Sequence, residues 1–183
     1  MSSTMTGVSE FAEVFLDGAP IPDGDRVGPE GGGWAVALAM LAAERGTYAV
    51  RRASVIRAAL GDVLARARSR PISARARAAV LRATIELHLL DLNIGALVQA
   101  MGTPGTVAPD AAVTKTSLTR AEQAVFAGAQ EVLGLDGLAW AGEQPSVVES
   151  YLYSRASSIY GGSSQIQRNV IGERLLGLPR EPA

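Results

Sequence analysis

The breakers decide what this chain can become. No proline interrupts the stretch between Gly33 and Pro71. In it Trp34, Ala37, Leu38, Leu41, Ala42 and Tyr48, then Val55, Ile56, Ala59, Leu60, Val63 and Leu64, recur largely at three- and four-residue spacings. That is the period of one helix face. Pro71 disfavours helix in the residue before it, so the run stops at Ser69-Arg70. Ser73 is a plausible cap for a second helix, whose apolar face runs through Val80, Leu81, Thr84, Leu87, His88, Leu92, Leu97 and Met101. Gly102-Thr103-Pro104-Gly105 ends it. A third helix is predicted from about Asp110 to Leu133, before Gly134. A shorter one covers roughly Ser146 to Ala156, and the last runs from Ser163 or Ser164 through Leu176, where Gly177-Leu178-Pro179 stops it. Long helices joined by short links pack as an antiparallel up-and-down bundle, with apolar stripes meeting at shallow angles. The expected fold is therefore all-α, with four or five helices.

The first thirty residues read differently. Phe11, Val14 and Phe15 mix with acidic residues before Asp17-Gly18, Pro20 and Pro22 break the chain. One or two short strands are expected here, so that residues 1–30 form a β-arm and 31–183 the helical domain. A lone strand or hairpin does not hold its shape in water, so the arm is expected to pack on a neighbour.

Composition removes several classes of function. A net charge of −1 over 183 residues offers nothing to nucleic acid. There are no cysteines, and the single histidine, His88, cannot build a metal centre alone, so no metal is expected. The apolar run Trp34–Leu41 is too short to cross a membrane, and the first residues lack the pattern of a signal peptide. The cytoplasm is the expected compartment. His88 reads as a hydrogen-bonded core residue, and Trp34 and Trp140 as packing anchors. Lys115 is the only lysine, a bias of composition given no role.

One stretch is unusual for a plain bundle. Ile159-Tyr160-Gly161-Gly162-Ser163-Ser164-Gln165-Ile166-Gln167-Arg168-Asn169 is a glycine turn feeding a helix start. From residue types alone it is a capped helix N-terminus, with free backbone N–H groups. The whole stretch Ile159–Arg180 resembles the C-terminal signature of the acyl-CoA dehydrogenase family. The passage from Glu10 to Gly46 is similar to that family's crossing from its middle β-domain into its C-terminal helical domain. The resemblance covers nearly the whole chain, strongly at both ends and weakly in the middle. It implies FAD as cofactor and an acyl-CoA thioester as substrate, with a carboxylate removing the α-proton and the β-hydride passing to the flavin. It also implies that the chain's end is the family's usual end, while the N-terminal helical domain and most of the β-domain are not in this sequence.

By the same resemblance, Tyr160 lines the acyl site, and Gly162, Ser163 and Gln165 face the flavin. The base that many relatives carry directly after the tyrosine is replaced by Gly161. Some relatives hold the base on the first long helix instead, and the matching residue is Glu44; its alternative is a structural pair with Arg45. Arg45 and Arg174 are candidates for phosphate or CoA contact. Two departures weaken the flavin site. The stretch Glu131-Val132-Leu133-Gly134-Leu135-Asp136-Gly137 stands where relatives have a Gln-x-x-Gly-Gly-x-Gly motif for the FAD pyrophosphate, and Arg66-Ala67-Arg68-Ser69-Arg70 replaces an Arg-x-x-Phe-Gly motif. A carboxylate repels a pyrophosphate, and a leucine side chain blocks close backbone approach. Gln130, one residue off, is a candidate to compensate. The resulting expectation is part of an FAD-dependent acyl-CoA dehydrogenase completed by another dehydrogenase-like chain, in a homo- or hetero-oligomer. The alternatives are a catalytically silent structural subunit and a bundle binding acyl thioesters without redox chemistry.

Overall fold

The computed structural model describes residues 4–100, 107–138 and 146–180, with the side chains of residues 42, 43, 45, 46 and 107–109 outside the described set. Five helices follow in order: α1 Gly33–Ser69, α2 Ala74–Ala100, α3 Val107–Leu133, α4 Val147–Ala156 and α5 Ser164–Val170. Short 3-10 turns stand at Asp23–Asp25 and Gly134–Leu138, and α5 continues as one π turn, Ile171–Leu175. The breakers act where the sequence places them. Ser73 accepts the Ala76 N–H at 3.0 Å and starts α2. Ser146 and Glu149 form a reciprocal capping box on α4, and Ser163 caps α5 through the Ile166 N–H.

Helix α3 is the centre of the molecule and packs against α1, α2, α4 and α5. Buried residues on α1 (Ala49, Ala53, Ile56, Leu60, Val63) and α2 (Ala76, Val80, Ala83, Leu87, Leu90) recur at alternating steps of four and three. Such a seven-residue repeat keeps two straight-running helices in contact along their length. From α3, Leu118, Ala121, Val125, Ala129 and Val132 complete two adjoining core clusters. Gly128 faces α2, where a Cβ would meet the Ala79 carbonyl at an ordinary contact distance of 3.5 Å.

Three expectations are corrected. No strand forms among the described residues of the N-terminal arm; Phe11, Val14, Phe15 and Leu16 are exposed. A strand requires a partner's hydrogen-bond ladder, and the described chain supplies none. Trp34 anchors no core: it is 74% exposed, because α1 overhangs the bundle and buries side chains only from Ala49 onward among the described residues. On α2 the buried face excludes Leu81, Leu92 and His88, which are exposed. Leu81, Ile85, Leu89 and Leu92 instead form a second, outward apolar stripe. Trp140 and Met101 lie outside the described residues. No helix among the described residues is long and apolar enough to cross a membrane.

Candidate active site at the Tyr-Gly-Gly turn

Glu122 of α3 sits on the buried stripe between Leu118 and Val125 and is fully buried. A carboxylate there requires charged and hydrogen-bonding partners. Arg52 of α1 supplies the charge, with Nε 2.8 Å from Oε1 and a second contact from Nη2. Burial opposes the charge on Arg52, yet its pKa is raised, because the charge and hydrogen bonds of Glu122 and the nearby Tyr160 and Tyr48 outweigh it. Tyr160, at the start of the glycine turn, donates to Glu122 Oε2 at 3.1 Å. Tyr48 of α1 donates to the Tyr160 oxygen at 3.2 Å. Burial, then the Glu122 charge and Tyr48, push the Tyr160 phenol far above its ordinary range.

Aromatic and cationic groups close the cluster. The rings of Tyr48 and Tyr160 meet edge to face at 5.8 Å, and Tyr153 lies 5.9 Å from Tyr160. The Arg52 guanidinium stands 5.2 Å from the centre of the Tyr153 ring. Lys115, buried on α3, lies 5.2 Å from the Tyr160 ring centre and donates to Thr119 Oγ1 at 3.1 Å and to the Ser157 carbonyl. The sole lysine thus ties the end of α4 to α3 beneath the turn.

The turn itself depends on two glycines with positive φ. Gly161 has φ of +64°, and Gly162 has +99°. A Cβ on Gly162 would lie 2.2 Å from Gln167 Nε2, whose side chain is buried and donates back to the Gly161 carbonyl at 3.3 Å. Gln167 Oε1 is buried without a hydrogen-bond partner.

The residues singled out in the sequence separate into two groups. Tyr160 is half-buried in the cluster, and Gly162, half-buried Ser163 and exposed Gln165 form the rim above it. Glu44 is exposed on the overhang of α1, where its carbonyl accepts the Thr47 hydroxyl. Glu44, Tyr48 and Arg52 follow at four-residue steps and share one face of α1, so Glu44 stands one turn beyond the tyrosine that touches Tyr160. The Arg45 side chain lies outside the described residues, and Arg174 is exposed on the π turn. Arg52, Glu122, Tyr48 and Tyr153 were missed by sequence reasoning. The available signal was a glutamate at helical spacing between apolar Leu118 and Val125.

A model of the acyl-CoA dehydrogenase C-terminal domain matches residues 31–176. This chain belongs to the acyl-CoA dehydrogenase family. Its similar proteins include acyl-CoA dehydrogenase IpdE1 of Mycobacterium tuberculosis, 35% identical over 182 residues, covering 97% of this chain and 46% of that protein. Acyl-CoA dehydrogenase FadE34 of Mycobacterium tuberculosis is 33% identical, covering 96% of this chain and 24% of that protein. The chain therefore spans less than half the length of the curated relatives it matches. Among solved structures, the prolyl acyl carrier protein oxidase AnaB superposes with a TM-score of 0.76 at 21% identity, over 86% of this chain and 43% of that one. Butyryl-CoA dehydrogenase from Megasphaera elsdenii gives 0.72 at 20% identity, over 85% of this chain and 42% of that one. These likenesses show the fold.

Acyl-CoA dehydrogenases use FAD, and the two halves of its expected site differ here. The rim at Gly162, Ser163 and Gln165 has accessible polar groups that fit a flavin edge. The pyrophosphate stretch does not fit. Glu131 is a carboxylate paired with Arg75 at 2.7 Å, and Leu135 points outward at 85% exposure. The Gln130 side-chain amide donates to the Gly137 carbonyl at 2.9 Å. Arg70, in place of the other motif, donates to the Val132 carbonyl and ties α1 to α3.

Proposed function

We propose that this chain is the C-terminal part of an FAD-dependent dehydrogenase that removes two hydrogens across the α,β-bond of an acyl-CoA thioester. The observation that supports the reading is the Tyr48–Tyr160 hydrogen bond, which joins the face of α1 that carries Glu44 to the residue before Gly161. In this reading Glu44 takes the α-proton that a residue at position 161 would otherwise take. Tyr160 and Tyr48 wall the acyl group, and the buried Arg52–Glu122 pair keeps that wall rigid. Ser163 and Gln165 hold one edge of FAD, which when bound supplies the acceptor for the β-hydride. The misfit at Glu131 and Leu135 supports a second dehydrogenase-like chain, or a second copy, completing the flavin site. The outward apolar stripe of α2 supports oligomerisation as well.

The test is Glu44→Gln in the assembly purified from its host. Loss of a positioned base lowers kcat by about 10²–10⁴-fold, with flavin content and assembly size retained. Unchanged turnover would instead favour a second reading, a structural subunit. The Glu131–Arg75 pair in the place of a pyrophosphate contact favours that reading.

A further inference from the structure

The rim that fits a flavin edge continues past Gln165. Arg168 and Asn169 follow Gln165 by three and four residues on α5, one turn further along the same face. Both line a groove of about 550 Å3. The π turn and the tail after it build the other walls. The Leu178 N–H donates to the Gly172 carbonyl at 2.9 Å, which folds the tail back onto the turn. Arg168, Arg174 and Arg180 face this groove with one carboxylate, Glu173. Arg180 holds that carboxylate at 2.9 Å, so those two charges cancel. The guanidinium groups of Arg168 and Arg174 are exposed and have no hydrogen-bond or ion-pair partner among the described residues. The groove therefore carries two uncommitted positive charges. The stretch from Glu131 to Gly137 offers no such surplus, since Arg75 and Glu131 neutralise each other there. A guanidinium presents a planar fork of N–H donors that matches phosphate oxygens, and a diphosphate linkage carries two negative charges.

We infer that the groove between α5, the π turn and the tail holds the diphosphate of the flavin dinucleotide through Arg168 and Arg174. The charge that the Glu131 stretch lacks is thus supplied by this chain's own C-terminal end. This deepens the dehydrogenase reading and rests on it, because that reading is what brings a flavin to Ser163 and Gln165.

The experiment titrates the flavin-stripped assembly, purified from its host, with riboflavin, FMN and FAD. The three share one ring system and carry no phosphate, one and two. Flavin fluorescence gives the dissociation constants. FAD is expected to bind about tenfold more tightly than riboflavin at about 0.05 M salt, and most of that preference disappears at about 0.5 M salt. The double variant Arg168→Gln/Arg174→Gln weakens FAD about tenfold, weakens FMN less, and leaves riboflavin within about twofold. Glu131→Gln, which restores an amide to the other stretch, leaves FAD binding unchanged. FAD affinity unmoved by the double variant overturns the inference, and so does a tenfold gain from Glu131→Gln. An equal loss for riboflavin and FAD, with circular dichroism unchanged, also overturns it, because the ring and not the phosphates is then affected. If riboflavin and FAD bind equally and the double variant moves neither, the inference falls and the flavin-dependent reading stands. If no flavin binds, both fall.

Discussion

Replacing Arg52 by methionine tests the buried ion pair directly. Glu122 is fully buried, and the Arg52 side chain is 17% exposed, so water reaches little of the pair. Methionine keeps much of the apolar stem and removes the guanidinium. Glu122 would then face its desolvation with one remaining donor, Tyr160. Removing one partner of a buried pair costs about 3–5 kcal/mol. Domains are stable by only about 5–15 kcal/mol, so this is a large fraction. For a chain of this length each kcal/mol moves the melting temperature by roughly 2–4 °C, and the expected drop is about 6–20 °C. The double variant Arg52→Met/Glu122→Leu leaves no buried charge. It strands only the Tyr160 hydrogen, at about 1–3 kcal/mol. The double variant should therefore be more stable than Arg52→Met alone, which additive surface effects do not produce. Thermal and urea unfolding followed at 222 nm, at one protein concentration, measures all three. A loss under about 1 kcal/mol for Arg52→Met, or a double variant no better than the single, refutes a pair that is buried and coupled.

Further expectations concern the tyrosines and the glycine turn. Tyr153 and Tyr160 both have raised folded-state pKa values, by burial first and then by their neighbours. Their contribution to stability is full below the unfolded value of about 10 and falls as the pH rises above it, because the unfolded chain ionises first. Absorbance at 295 nm, compared with Tyr160→Phe, should show the Tyr160 phenol titrating only together with loss of helix; its ionisation in the folded state at pH 10–11 contradicts its placement. Gly162→Ala forces a side chain into positive φ and against Gln167, so it should destabilise by more than about 1 kcal/mol. Adding Gln167→Ala should recover part of that loss, and full additivity in urea unfolding contradicts the contact.

Local rules located the helices. Pro71, Gly134 and the Gly177-Leu178-Pro179 stop act within a few residues of themselves, and Ser73 and Ser163 cap the helix starts they precede. The glycine turn was visible for the same reason, since positive φ restricts residue type at Gly161 and Gly162. Periodicity also announced apolar faces, but not which face would be covered. On α2 two stripes compete, and the choice of Val80, Ala83, Leu87 and Leu90 over Leu81, Ile85, Leu89 and Leu92 is made by where α3 lies. The β-arm failed as an expectation because a strand is half of a pair, and its partner is not among the described residues. The site was divided likewise. Its signature turn is local, whereas Arg52 and Glu122 are 70 residues apart and meet only when α1 closes on α3. Sequence could mark Glu122 as a charge between apolar Leu118 and Val125. Only the packing of α1 and the glycine turn against α3 supplies the cation and the Tyr160 phenol that let it remain there.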